Sequence, residues 1–148
     1  MPTNVSSEEQ YNLLTGRIFM YVTRFLNQHF KSAGIDITRE QWTVLAILWH
    51  QDGVSQQVLA DATGRDKPSI TRLLDNLQRL GYLERKADPN DRRSNLICLT
   101  RKGRNAESKV KATVETAFAK LMEGISARDS EAVRRTFRTI YSNIEKSA

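Results

Sequence analysis

The sequence predicts a mainly α-helical, α+β chain, and three observations predict it. Apolar residues recur at helical spacing through most of the 148 residues. One stretch, 82–99, instead carries strand formers on both sides of the turn residues Asp88-Pro89-Asn90-Asp91. Immediately before it lie two short helical segments that meet at Gly64. Two short helices followed by an arginine-tipped hairpin make a winged helix-turn-helix. The expected division is residues 1–34 and 101–148 as long N- and C-terminal dimerisation helices and 35–100 as the winged helix-turn-helix, in one intertwined unit.

Each element has its own local reason. Ser6-Ser7-Glu8-Glu9 has capping-box spacing and opens a helix to about Ser32, with Leu14, Ile18, Tyr21, Val22, Phe25 and Leu26 on its apolar side. Gly34 breaks it. Thr38-Arg39-Glu40-Gln41 is a second capping box and begins a helix through Trp42, Leu45, Leu48 and Trp49. Ser55 caps a short helix, Gln56 to Thr63, and Gly64 turns the chain. Asp66 caps the next helix, with Pro68 in the first turn, where a missing N–H costs nothing. Ile70, Leu73, Leu74, Leu77 and Leu80 form its stripe and Gly81 ends it. Tyr82–Ala87 and Asn95–Leu99 are expected strands. Thr100 caps a helix to about Glu123, and Ser126 starts the last one, which carries Val133, Phe137, Ile140, Tyr141 and Ile144. A chain this short cannot bury three such stripes unaided, and pairing with a second copy would cover them.

Composition narrows the function classes. The one cysteine excludes an internal disulfide framework and fits a reducing compartment. Met1 to Gln10 is polar and lacks the apolar core of a signal peptide, and no run of apolar residues suffices for a membrane span, so a cytoplasmic location is expected. The net charge of +6 is unevenly placed. Residues 55–104 hold eleven Lys/Arg against six Asp/Glu, whereas residues 1–54 hold four against five. The excess therefore lies in the hairpin and its two helices, where neutralised phosphates would release counterions. A double-stranded DNA partner is expected.

On the second short helix the stripe faces the core and leaves Lys67, Ser69, Thr71 and Arg72 to meet base edges in a major groove. Arg72 suits either a bidentate guanine contact or a phosphate. Ser55 and Gln56, at the start of the supporting helix, are candidates for backbone phosphates. Arg92 and Arg93, at a turn with nothing apolar to bury, suit a narrow minor groove, and Asp91 is placed to orient the Arg93 guanidinium.

In these residues the chain resembles the MarR family of bacterial transcriptional regulators. The resemblance rests on Leu59-Ala60, Pro68-Ser69-Ile70-Thr71-Arg72-Leu73-Leu74-Asp75, Leu80-Gly81-Tyr82-Leu83-Glu84-Arg85, the wing Asp88-Pro89-Asn90-Asp91-Arg92-Arg93, and Leu99-Thr100-Arg101-Lys102-Gly103. The family's wing signature of Asp, any residue, Arg falls on Asp91 and Arg93. The resemblance implies a homodimer joined through its terminal helices, a pseudo-palindromic operator, repression, and release by a small anionic or phenolic effector.

Other candidates are thinner. Arg17, Tyr21, Arg24 and Trp42 offer a cation and aromatic walls for an effector, and equally suit core or dimer contacts. Cys98 opens an alternative reading as a thiol redox sensor if Arg85, Lys86 or Arg101 lower its pKa, against a structural role as a small hydrophobe. His29 and His50 lack companions at metal-ligand spacing and suit helix C-termini. No metal, cofactor or catalytic residue is expected, and the rival from another class is a helical protein-interaction adaptor.

Overall fold

The computed structural model describes residues 6–148. The first five residues of the expected dimerisation segment 1–34 lie outside the described residues. The chain divides into two compact units, one ending at Glu115 and the other running from Thr116 to Ala148.

In the first unit, α1 (Ser7–Thr15) and α2 (Ile18–Ser32) replace the single helix expected from Ser6 to Ser32. The Ser6 capping box forms as expected, but Gly16 is extended (φ −63°, ψ 177°) and interrupts the helix. A methyl group at Gly16 would collide with the Asn12 carbonyl oxygen, so this break depends on glycine. Thr38 and Gln41 close the second capping box at the start of α3 (Arg39–His50). A two-residue strand, β1 (Val54–Ser55), then precedes α4 (Gln56–Thr63). Ser55 Oγ accepts from Val58 N, and Gly64 reverses the chain at φ +64°.

Helix α5 (Lys67–Arg79) begins at Asp66 and ends where Tyr82 N donates to Leu77 O across Gly81. Ile70, Leu73, Leu74 and Leu77 are buried as the stripe predicts, whereas Leu80 is only half-buried. They pack with Leu45 and Leu48 of α3 and Leu59 of α4 in one core, which Leu26 and Phe30 of α2 and Val110 extend. Burying one such leucine side chain contributes roughly 1.5–3 kcal/mol.

The hairpin comprises β2 (Leu83–Asp88) and β3 (Asp91–Leu99), and the sheet order is β1-β3-β2, all antiparallel. Its base is apolar: Leu83 pairs with Leu99 and Val54 with Ile97, all four side chains being buried. One element here was not expected and one expectation is corrected. β1 carries no expectation, because two residues hold no periodicity; it exists because β3 offers an edge. β3 begins four residues before the expected Asn95, because Asp91 pairs with Asp88 across the turn while Arg92, Arg93 and Ser94 bulge between that pair and Ala87–Asn95.

Beyond the hairpin, α6 (Arg101–Asn105) is capped by Thr100, whose hydroxyl accepts from Gly103 N at 3.1 Å. Ala106 alone separates it from α7 (Glu107–Leu121), so the expected helix to Glu123 is two helices ending two residues earlier. Ala106 keeps right-handed dihedrals, and its N–H and C=O join the ladder on both sides, so the interruption is slight. The boundary between the units falls within α7.

In the second unit, Ser126 caps α8 (Ala127–Ser147) by accepting from Asp129 N at 3.0 Å. Val133, Phe137, Tyr141 and Ile144 lie exposed along α8. Ile140 is half-buried and lines a shallow cavity with Asn143, Ile144, Ser147 and Ala148. Among the described residues no helix is long and apolar enough to cross a membrane.

Candidate nucleic-acid interface

The N-terminus of α5 is built by Asp66, whose Oδ1 accepts from Ser69 N at 2.8 Å. That backbone bond, helped by the Ser69 side chain and by the charges of Arg65 and Arg72, holds the Asp66 carboxyl below its ordinary pKa. The folded carboxyl ionises more readily than the unfolded one. Its stabilisation is therefore complete above the ordinary carboxylate range and is lost as pH falls through the lowered value. A carbon-13 NMR titration is expected to place Asp66 below 3.8, its ordinary value. A titration at or above that value would show that the cap does not hold the charge.

Downstream of the cap, Lys67 and Arg72 are exposed and Ser69 and Thr71 are half-buried. Thr71 is engaged from the neighbouring helix: Gln56 Nε2 donates to Thr71 Oγ1 at 2.6 Å. Gln56 thus ties α4 to α5 in addition to standing at the start of α4. Arg79, further along α5, turns back to donate to Asn76 Oδ1 at 3.4 Å.

At the wing, register pairing passes from Ala87–Asn95 directly to Asp88–Asp91. Arg92, Arg93 and Ser94 therefore face a single step of β2 and bulge from the ladder, an arrangement that re-aims side chains. The two arginines stand at the start of β3 and beyond the tightest turn, and both are exposed. Asp88 fastens the turn by accepting from Asn90 N at 2.8 Å and from the Ser94 hydroxyl at 3.5 Å. Asp91 does not hold the Arg93 guanidinium as expected; its Oδ1 accepts from Arg93 N at 3.0 Å. Two residues of separation bring a short carboxylate back to the backbone more easily than to the end of a long side chain.

An open groove of 540 Å³ runs between the two helices and the wing. Ser55, Gln56, Lys67 and Arg93 line it, together with Arg65, Arg85, Ser94 and Asn95. Ser69, Thr71, Arg72, Asp91 and Arg92 are not among the lining residues. The structure thus gathers four cations, Arg65, Lys67, Arg85 and Arg93, around one concavity. Arg65 and Arg85 were not expected there. The sequence signal for Arg85 was present, in the Leu83-Glu84-Arg85 segment that leads into the wing, but its partners lie across a turn. Arg85 reaches from β2 to α5, where its guanidinium donates to Asp75 Oδ1 at 2.8 Å and to Gln78 Oε1 at 2.5 Å.

The wing is also fixed at its base. Asp52 Oδ1 accepts from Leu99 N and Gly53 N, at 2.8 and 2.9 Å. Trp49 Nε1 donates to Gly103 O at 2.9 Å. Tyr82 donates to Asp36, and Lys102 lies 4.4 Å from the Tyr82 ring centroid and 3.7 Å from Asp36 Oδ2. Burial, then the hydrogen bond to Asp36, pushes the Tyr82 hydroxyl far above its ordinary pKa, so it stays a neutral donor.

The remaining candidates separate. Trp42 lines a small cavity with Ala46, Trp49, Lys111, Val114 and Glu115, whereas Arg17, Tyr21 and Arg24 are exposed on or beside α2 and line no part of it. Burial first, and then the Asp52 charge, push the Cys98 thiol above its ordinary pKa, although Lys86 opposes them. That is the reverse of the shift expected of a sensing thiolate. His29 Nδ1 lies 3.0 Å from Phe25 O, and His50 is the last residue of α3. Among the described residues no group of three or more His, Cys, Asp or Glu is placed to hold a metal ion.

A family model described as MarR family matches residues 35–94. Three solved relatives cover nearly the whole chain. A transcriptional regulator (MarR family) from Rhodococcus sp. RHA1 is 29% identical, with a TM-score of 0.76 over 91% of this chain and 94% of that one. The transcriptional repressor CouR bound to a 23-mer DNA duplex is 27% identical, with a TM-score of 0.80 over 95% and 97%. The S. aureus MepR–DNA complex is 27% identical, with a TM-score of 0.80 over 90% and 97%. CouR, from Rhodococcus jostii RHA1, has also been solved with p-coumaroyl-CoA, and that structure is 26% identical, with a TM-score of 0.74 over 91% and 94%.

Proposed function

We propose that this chain, which the MarR family model matches over residues 35–94, is a MarR-family DNA-binding transcriptional regulator acting as a homodimeric repressor on a pseudo-palindromic operator. The observation that carries the reading is the groove between α5 and the wing, where Arg65, Lys67, Arg85 and Arg93 surround one concavity. In this reading Lys67, Ser69, Thr71 and Arg72 meet the major groove, and Arg92 and Arg93 enter the minor groove. Ser55 and Gln56 approach phosphates at the start of α4. Asp91 acts on the Arg93 backbone, holding the bulge that carries the side chain. None of these roles calls for a catalytic residue.

Dimerisation is supported by the exposed apolar residues of the terminal helices. Tyr11, Leu13, Leu14, Ile18 and Phe19 are exposed on α1 and α2, and Val133, Phe137, Tyr141 and Ile144 on α8. Residues 1–34 and 101–148 are accordingly assigned to dimerisation and 35–100 to the winged helix-turn-helix. The place of action is the cytoplasm, where a regulator meets bacterial DNA.

Release by a small anionic or phenolic effector is part of the proposal, and p-coumaroyl-CoA, the ligand of the CouR complex, combines both chemistries. Arg17 just before α2, Tyr21 and Arg24 on α2 and Trp42 on α3 are the proposed contacts, Trp42 lining the small cavity with Ala46 and Trp49. The raised pKa of Cys98 weighs against oxidant sensing as the signal.

The test is binding to the DNA that flanks the protein's own coding region. An inverted repeat is expected there, protected in a footprint whose half-site centres lie about one helical turn apart. Protection of one asymmetric half-site would overturn the dimeric operator reading. Equal binding to every duplex would favour an adaptor for acidic partners.

A further inference from the structure

The wing and α5 are joined by the backbone at Gly81, and the hairpin then projects away from that joint. Along its length, one side chain returns to the helix. Arg85, the third residue of β2, donates to Asp75 Oδ1 at 2.8 Å and to Gln78 Oε1 at 2.5 Å. Asp75 and Gln78 are three residues apart and so share one side of α5. Further toward the tip, no hydrogen bond or ion pair among the described residues links the hairpin to α5. A planar guanidinium held by two acceptors is fixed in orientation as well as in position. The Arg85 side chain is 23% exposed and that of Asp75 61%. An exposed pair of this kind adds little to global stability, so geometry is its main effect.

We propose that Arg85 is a positioning residue for the DNA interface, setting through Asp75 and Gln78 the angle between the wing and α5. The proposal rests on the regulator reading and deepens it. Two groove-reading elements must enter their grooves together, and a wing free to swing loses register with the helix beside it. Arg85 also lines the groove, so the competing role is a direct phosphate contact. The two roles make opposite predictions for Asp75. Asp75 lies one turn beyond Thr71 and Arg72 on the polar side of α5. As a bystander its negative charge repels DNA, and its removal would tighten binding. As a bracing partner its removal weakens recognition.

The experiment is a fluorescence-anisotropy titration of wild type, Asp75→Ala and Arg85→Lys against the operator duplex and a scrambled duplex of equal length, across a salt series. Asp75→Ala is expected to lose about tenfold in operator affinity, comparable to one mismatched base pair. Its binding to the scrambled duplex should stay unchanged or tighten, and its salt slope should match wild type. Arg85→Lys, which keeps the charge but lacks the fork, is expected to show the same loss on the operator. Operator binding by Asp75→Ala as tight as wild type, or tighter, would overturn the proposal. So would an unimpaired Arg85→Lys, since a lysine keeps the charge that a phosphate contact needs but has no planar fork to hold two acceptors. Failure of the regulator reading shows elsewhere, as equal binding of wild type to both duplexes, and would overturn the bracing role with it.

Discussion

Arg93→Ala is expected to weaken operator binding by roughly 1–3 kcal/mol while leaving the thermal midpoint where it was. The side chain is exposed on the bulge between Asp91 and Asn95, so the folded chain loses little by its removal. What holds position 93 is the bond from its own N–H to Asp91, and alanine retains that N–H. The two measurements therefore separate cleanly: anisotropy titration on the operator moves and thermal unfolding does not. Wild-type affinity in the variant would remove the wing from the interface. A matching fall in the thermal midpoint would instead make Arg93 a folding residue.

Gly103→Ala is expected to be strongly destabilising, because Gly103 of α6 lies against the base of the hairpin. Its added Cβ would overlap the Tyr82 carbonyl oxygen and come within 3.1 Å of Leu99 Cδ2. The obstructing oxygen belongs to the backbone and cannot rotate away. Relief requires α6 to withdraw from the base of the hairpin, which also strains the Trp49–Gly103 bond and the Thr100 cap. Overpacking of this kind together with a weakened buried hydrogen bond costs about 3 kcal/mol. For a chain of this size that corresponds to about a 10 °C fall in the thermal midpoint, readable by circular dichroism. An unchanged midpoint would show that the approach of α6 to Tyr82 is looser than the structure has it.

What was legible in the sequence was local. Ser6, Thr38, Ser55, Asp66, Thr100 and Ser126 each cap a helix where the residue type and its neighbours indicated, because a cap involves only three or four consecutive residues. The stripe Ile70, Leu73, Leu74 and Leu77 is buried for the same reason: one helix face settles it. What was not legible depends on residues far apart in the chain. Val54-Ser55 is a strand only because Ile97 and Leu96 lie opposite. The bulge at Arg92–Ser94 follows from where the ladder slips, which no propensity records. Arg85 and Asp75, ten residues apart across a turn, meet only once the hairpin folds back on α5. The break at Gly16 falls between these cases, since a glycine inside an otherwise periodic helix signals only a weaker helix until the Asn12 carbonyl is seen against it.

Ser55 belongs to two elements at once. Its backbone pairs with Leu96 in the sheet, and its hydroxyl caps α4. The next residue, Gln56, grips Thr71 on α5. Strand, supporting helix and reading helix therefore meet in two consecutive residues, and none can tilt without carrying the others. A reading head of this kind resembles one jaw of a caliper. In the proposed homodimer its contours would be stiff and the adjustable quantity would be the gap between jaws. The proposed effector would then have no need to deform the surface that touches the bases; it would have only to change the gap until two half-sites no longer fit it.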